Sequence, residues 1–142
     1  MVNCSGDGMD LSNPKSGEIK GFKTLIVEDN APFRLSLKET LQTLFPSMIV
    51  QEAAEGGEAL QKVESFLPEL IFMDIHLHGE NGLQLTQKIR TYYPGVPIII
   101  LTHYDFPEYR EAAFKYGANF FIPKDSLDWG QIETLVKSFY PS

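Results

Sequence analysis

The chain carries a single cysteine, Cys4, so no intrachain disulfide can form, and the patterns CxxC, HExxH and GxxxxGK(S/T) are absent. Zinc ribbons, zincins and P-loop enzymes are thereby excluded. Basic residues are also scarce: 12 Lys plus Arg face 19 Asp plus Glu, a formal charge of −7. Such a field repels phosphate backbones and anionic lipid heads, which argues against direct binding of nucleic acid or membrane. No apolar run exceeds the four residues of Ile98–Leu101, far short of a membrane span, and the first residues lack the basic-then-apolar pattern of an export leader. A cytoplasmic location is expected. What remains is 142 residues, 43% of them hydrophobic, which suits one domain with one sheet-centred core. Residues 1–21, rich in Ser, Gly, Asn, Asp and Lys, show no apolar periodicity and are expected to form an unstructured tail ahead of a domain over 22–142.

Five short apolar runs follow: Thr24–Val27, Met48–Val50, Leu70–Met73, Pro97–Leu101 and Phe120–Ile122. None alternates polar with apolar, so each predicts a strand buried on both faces. Between and after them lie stretches with helical spacing: Phe33, Leu37, Leu41 and Leu44; Leu60, Val63 and Phe66 or Leu67; Leu85, Ile89, Tyr92 and Tyr93; Tyr109, Ala112, Ala113 and Tyr116; Ile132, Leu135, Val136 and Phe139. The tyrosines Tyr92, Tyr93, Tyr109 and Tyr116 are expected to pack. Asn30 can cap a helix starting near Pro32, Asp105 with Glu108 reads as an acidic capping box, and Gly117 as a helix stop. Strict β-α alternation calls for an α/β fold with a parallel sheet covered by helices on both sides. In such a sheet, functional residues gather at the carboxyl ends of the strands.

Those ends are polar here. Glu28 and Asp29 follow the first strand, Asp74 the third, Thr102 the fourth, and Lys124 the fifth across Pro123. Carboxylates crowded at one rim repel each other unless one protonates or a cation sits among them. Mg²⁺ suits that need, because it takes hard oxygen ligands and is commonly held by one or two carboxylates plus a phosphate. Phosphoryl transfer needs a nucleophile and neutralised equatorial oxygens. Asp74 is the candidate nucleophile, Thr102 the hydroxyl and Lys124 the ammonium.

The strings LIVEDN (25–30), FMDIHLHGENGL (72–83), ILTHYD (100–105) and GANFFIPKD (117–125), in this order, resemble a response-regulator receiver domain over residues 23 to 140. The wording around Asp74 and YDFPEYREAA (104–113) is similar to receivers that precede LuxR-class helix-turn-helix domains. The resemblance implies a flavodoxin-like, doubly wound (βα)5 sandwich with strand order 2-1-3-4-5. It implies that Asp74 accepts a phosphoryl group from a histidine kinase or phosphotransfer protein. Mg²⁺ would be held by Glu28, Asp29, Asp74 and the backbone carbonyl of His76. Thr102 and Lys124 would contact the phosphoryl oxygens. Phe121 would be a switch aromatic that reports phosphorylation on the face of helix four, strand five and helix five. No output domain is expected within these residues, so the output is expected in a partner protein or a missing domain, and a phosphorylation-dependent homodimer is a further implication.

The sequence departs from the family at two positions. His78 stands where a proline is common, which predicts a freer backbone, and His103 replaces a small residue beside Thr102. His76 and Tyr104 occupy places where the family tunes self-hydrolysis, and their rings imply a long-lived phosphoryl state. The histidines His76, His78 and His103 also admit a transition-metal site. Phe121 reads equally well as a core residue. Two other functions share these residues: an aspartyl-phosphate phosphohydrolase using Asp74 on free substrates, and an FMN-binding or phosphorylation-independent interaction domain of the same fold.

Overall fold

The computed structural model describes residues 21–139; the leader ahead of Gly21, including Cys4, lies outside the described residues. In chain order the elements are β1 (Lys23–Val27), α1 (Ala31–Leu44), β2 (Ile49–Ala53), α2 (Gly56–Phe66), β3 (Leu70–Met73), the short strands β4 (His76–Leu77) and β5 (Glu80–Asn81), α3 (Gly82–Tyr92), β6 (Ile98–Thr102), α4 (Pro107–Lys115), β7 (Phe120–Pro123) and α5 (Trp129–Lys137). A single 3₁₀ turn, Lys124–Ser126, leads from β7 toward α5. The main sheet runs β2-β1-β3-β6-β7, parallel throughout, and β4-β5 is a separate antiparallel hairpin. This is the expected doubly wound order. No helix among the described residues is long and apolar enough to cross a membrane.

Unbroken apolar strands build two cores because successive side chains leave a strand on opposite faces. Leu25, Val27, Ile71, Met73, Ile98, Ile100 and Phe121 point to one side, where they meet Ala59 and Val63 of α2, Leu85 and Ile89 of α3 and Ala113 of α4. Ile26, Phe72, Ile99, Leu101 and Ile122 point to the other, against Leu37 and Leu41 of α1 and Ile132 and Val136 of α5.

Local chemistry sets the helix ends. Asn30 caps α1 by accepting from the Phe33 N–H at 2.9 Å, with Pro32 in the first turn, where a missing N–H costs nothing. Asn81 accepts from Leu83 and Asp128 from Gly130, starting α3 and α5. Three expectations need correction. Asp105 does not cap α4; the cap position is Phe106, without a side-chain bond, and Asp105 instead binds Arg110 at 3.3 Å. Tyr92 is 78% exposed and packs on nothing central, since it falls on the outer face of α3. β2 is longer than its apolar run because it is an edge strand that carries Gln51 and Glu52. At the boundary of the described residues, Gly21 donates to the Ser47 carbonyl at 3.2 Å.

Gly82, the first residue of α3, is the tightest backbone approach. Its N–H donates to the Ile75 carbonyl at 2.6 Å, and a Cβ there would lie 1.9 Å from the Asp74 carbonyl oxygen. A backbone atom cannot step aside, so α3 would have to leave the β3 exit. Gly82→Ala is expected to lower the unfolding free energy by at least about 2 kcal/mol in a urea titration. Gly95→Ala, with nothing within 4 Å of its Cβ position, should stay within about 0.5 kcal/mol of wild type.

Candidate functional site

The hydrogen-bond ladder of the sheet continues one residue past β1 and β3. The Glu28 N–H donates to Ala53 at 2.9 Å and the Asp74 N–H to Val27 at 3.0 Å, so both acids are held in register just past neighbouring strands. Asn30 N–H and Arg34 then fix Glu28 further: the former donates to Oε2 at 3.0 Å, the latter to the Glu28 carbonyl at 2.7 Å. Arg34 is itself held by Glu52 of β2 at 2.9 Å. Asp74 Oδ1 accepts from the Ile75 N–H at 2.7 Å, which turns Oδ2 toward Lys124.

Lys124, the first residue of the 3₁₀ turn, brings its ammonium to 2.7 Å from Glu28 Oε1 and 3.2 Å from Asp74 Oδ2. Its side chain is 3% exposed. The ring of Phe33, in the first turn of α1, covers the ammonium at 4.3 Å from its centroid. Carboxylate oxygens of Glu28, Asp29 and Asp74 all lie within 4.8 Å of one another; Glu28 and Asp74 are buried and Asp29 is exposed. Burial pushes the Glu28 carboxyl up from 4.5 to about 7, partly offset by the Lys124 hydrogen bond and reinforced by the charge of Asp74. One ammonium cannot neutralise three carboxylates. The all-oxygen donor set with surplus negative charge therefore fits a hard divalent cation such as Mg²⁺.

Among the described residues, these acids are the one group of three or more ligand-type side chains close enough to share an ion. The three histidines do not converge as a transition-metal site would require. His76 stacks on Tyr104 with centroids 3.8 Å apart, and Tyr109 meets both rings edge-on at 6.4 and 5.9 Å. His103 binds Asp125 at 2.9 Å, joining the loop after β6 to the turn after β7. His78 lies with Gly79 in the two-residue turn of the β4-β5 hairpin, so the loop expected to be freer is held by strand pairing.

Thr102 ends β6 fully buried, and its hydroxyl accepts from the Tyr104 N–H at 3.2 Å. Phe121, opposite Ile100 in the ladder, is buried in the core with the Arg110 guanidinium 4.7 Å above its ring. The core reading of Phe121 agrees with this burial, and Arg110 places its ring next to α4. Phe33, Arg34 and Arg110 were not legible as site residues, since a helix-face aromatic or an isolated arginine carries no signal until the fold supplies its partner.

The response regulator receiver domain family matches residues 24–137. The chain is 36% identical over 120 residues to the oxygen regulatory protein NreC of Staphylococcus haemolyticus, covering 84% of this chain and 55% of that protein. It thus spans about half the length of the curated relatives it matches. Among solved structures it is similar to a CheY-like receiver domain protein of Methanospirillum hungatei, with TM-score 0.76, 28% identity, and 84% and 94% of the two chains covered. It is also similar to the receiver domain of the sensor histidine kinase PA1611 of Pseudomonas aeruginosa, which has a magnesium ion coordinated in its active-site cleft, with TM-score 0.74, 27% identity, and 84% and 97% covered. With four acidic and basic side chains meeting at the carboxyl rim of this sheet, the chain belongs to the response regulator receiver domain family of two-component signalling.

Proposed function

We propose that Asp74 is the phosphoacceptor of this receiver, supplied by a histidine kinase or phosphotransfer protein. The observation that carries this reading is the buried bridge from Lys124 to both Glu28 and Asp74. A carboxylate oxygen of Asp74 forms the new P–O bond while the bond from phosphorus to the donor nitrogen breaks. The donor imidazole keeps the electron pair and takes up a proton. Lys124 follows the charge onto a phosphoryl oxygen, and the Thr102 hydroxyl donates to another. Glu28, Asp29, Asp74 and the His76 carbonyl would hold Mg²⁺, which would neutralise the carboxylates and phosphoryl oxygens.

The output is a two-state change of the α4/β7/α5 face. Moving it from mostly inactive to mostly active takes about 5 kcal/mol of differential interaction with the phosphoryl group. Thr102 and Lys124 supply that difference, and Phe121 beneath Arg110 carries it outward to an output protein, an output domain or a second copy. The reading as a phosphohydrolase is disfavoured by His76 occupying the place where such enzymes carry a second acid.

Intact mass after acetyl phosphate or beryllofluoride with Mg²⁺ should show one adduct per chain, absent in Asp74→Asn. Repeated turnover of phosphate esters would instead favour the hydrolase.

His76 and Tyr104, two positions beyond Asp74 and Thr102, stack with centroids 3.8 Å apart, and in this reading the ring pair limits access of an attacking water to the phosphoryl group. His76→Asn with Tyr104→Ala should shorten the phosphoryl half-life by about tenfold, followed as loss of the mass adduct. A half-life unchanged or longer in the double variant would count against the ring pair.

The raised Glu28 value sets a pH dependence. In the metal-free protein its contribution to stability is full below about 4.5 and is lost as pH rises through about 7, because the fold favours the protonated carboxyl. Metal ligation requires the ionised form, so Mg²⁺ should raise the melting temperature more at about pH 8 than at about pH 5.5. Glu28→Gln should remove most of that difference in a thermal melt with and without EDTA.

A further inference from the structure

Lys124 has an uncommon set of partners for a buried ammonium. Its charge must be satisfied on all sides, because an exposed-to-nothing cation in the interior is costly. Two sides meet Glu28 Oε1 at 2.7 Å and Asp74 Oδ2 at 3.2 Å. A further side meets the face of Phe33 at 4.3 Å from the ring centroid, inside the range where an aromatic quadrupole attracts a cation.

The three partners behave differently during phosphoryl transfer. Glu28 and Asp74 line the pocket that takes the phosphoryl group, so the contacts of the ammonium with them change as Lys124 turns to a phosphoryl oxygen. Phe33 is uncharged, and its backbone is anchored. Its N–H is bound by the Asn30 cap at 2.9 Å, Pro32 precedes it in the first turn, and Arg34 ties the next residue to the Glu28 carbonyl at 2.7 Å. The ring is therefore a fixed platform beside a long and flexible side chain. A lysine stem has four rotatable carbons, and restricting them ahead of the reaction lowers the barrier by placement alone.

We propose that Phe33 is a positioning residue of the transfer site, holding the Lys124 ammonium over Asp74 through its ring face. This rests on Asp74 being the phosphoacceptor. A leucine at position 33 fills similar space yet offers no quadrupole. Tyrosine keeps the ring face, and pentafluorophenylalanine keeps the shape while reversing the quadrupole.

The test is the rate of Asp74 labelling by acetyl phosphate in saturating Mg²⁺, with the limiting rate separated from the donor concentration at half-saturation. The limiting rate should fall about fivefold in Phe33→Leu and in the protein carrying pentafluorophenylalanine at position 33, with half-saturation unchanged. Phe33→Tyr should stay within about twofold of wild type. In NMR spectra of the unphosphorylated protein, the Lys124 ε-methylene protons should show an upfield ring-current shift that Phe33→Leu abolishes and Phe33→Tyr keeps. A fluorinated protein as fast as wild type overturns the proposal, as does a Phe33→Leu protein as fast as wild type or a Phe33→Tyr protein as slow as Phe33→Leu. The fluorinated variant keeps the test decisive if Phe33→Leu fails to fold. A wild type that takes up no phosphoryl group overturns the acceptor reading itself; labelled wild type with an unslowed variant overturns only the role of Phe33.

Discussion

A single buried ammonium facing two buried carboxylates is the constraint around which the carboxyl rim is organised. Lys124, Glu28 and Asp74 each lose most of their hydration on folding, and separating the lysine from either acid would leave a charge uncompensated in the interior. The Asp29 carboxylate adds negative charge at the exposed edge. The result is a site short of positive charge and lined by oxygens, which is the condition under which a divalent cation and a phosphoryl group can be received together. A pair of well-packed hydrophobic residues there would serve stability at least as well, so the arrangement is better understood through its chemistry than through its contribution to folding.

The fold holds that constraint without help from flexible loops. Ladder bonds from Glu28 to Ala53 and from Asp74 to Val27 extend the sheet into the site, and Gly82 lets α3 begin against the Asp74 carbonyl. On the far side, Thr102 and Phe121 lie on β6 and β7, two strands joined in register, and Arg110 of α4 caps the Phe121 ring while bound to Asp105. A change at Thr102, as the proposed switch requires, would meet packed side chains leading to α4, and packed side chains tend to rearrange between discrete states.

The acids, threonine and lysine were legible because each follows an apolar run with no alternation. Such a run predicts a strand with both faces covered, and a polar residue directly after it must lie at the strand end. The same rule failed at β2, where an edge strand tolerates Gln51 and Glu52, and it could not see β4-β5, whose strands of two residues lack any periodicity. Asp105 had the chemistry of a cap, but Arg110, one turn further along, offers a full charge as partner. Tyr92 fits an apolar spacing by sequence and falls on solvent because it lies at the end of α3, past the buried face of Gly82, Leu83, Leu85, Thr86 and Ile89.

The five strands of the main sheet, their parallel run and the identity of the polar residues at its rim follow from local pattern: which residues avoid water, at what period, and what interrupts them. Those are properties of neighbouring residues along the chain. Which carboxylate meets Lys124, the ring of Phe33 beneath it, the stacking of His76 on Tyr104 and the guanidinium over Phe121 join positions from 11 to 96 residues apart. Contacts of that separation leave no trace in local periodicity, because their energy exists only after the sheet has brought its strand ends together.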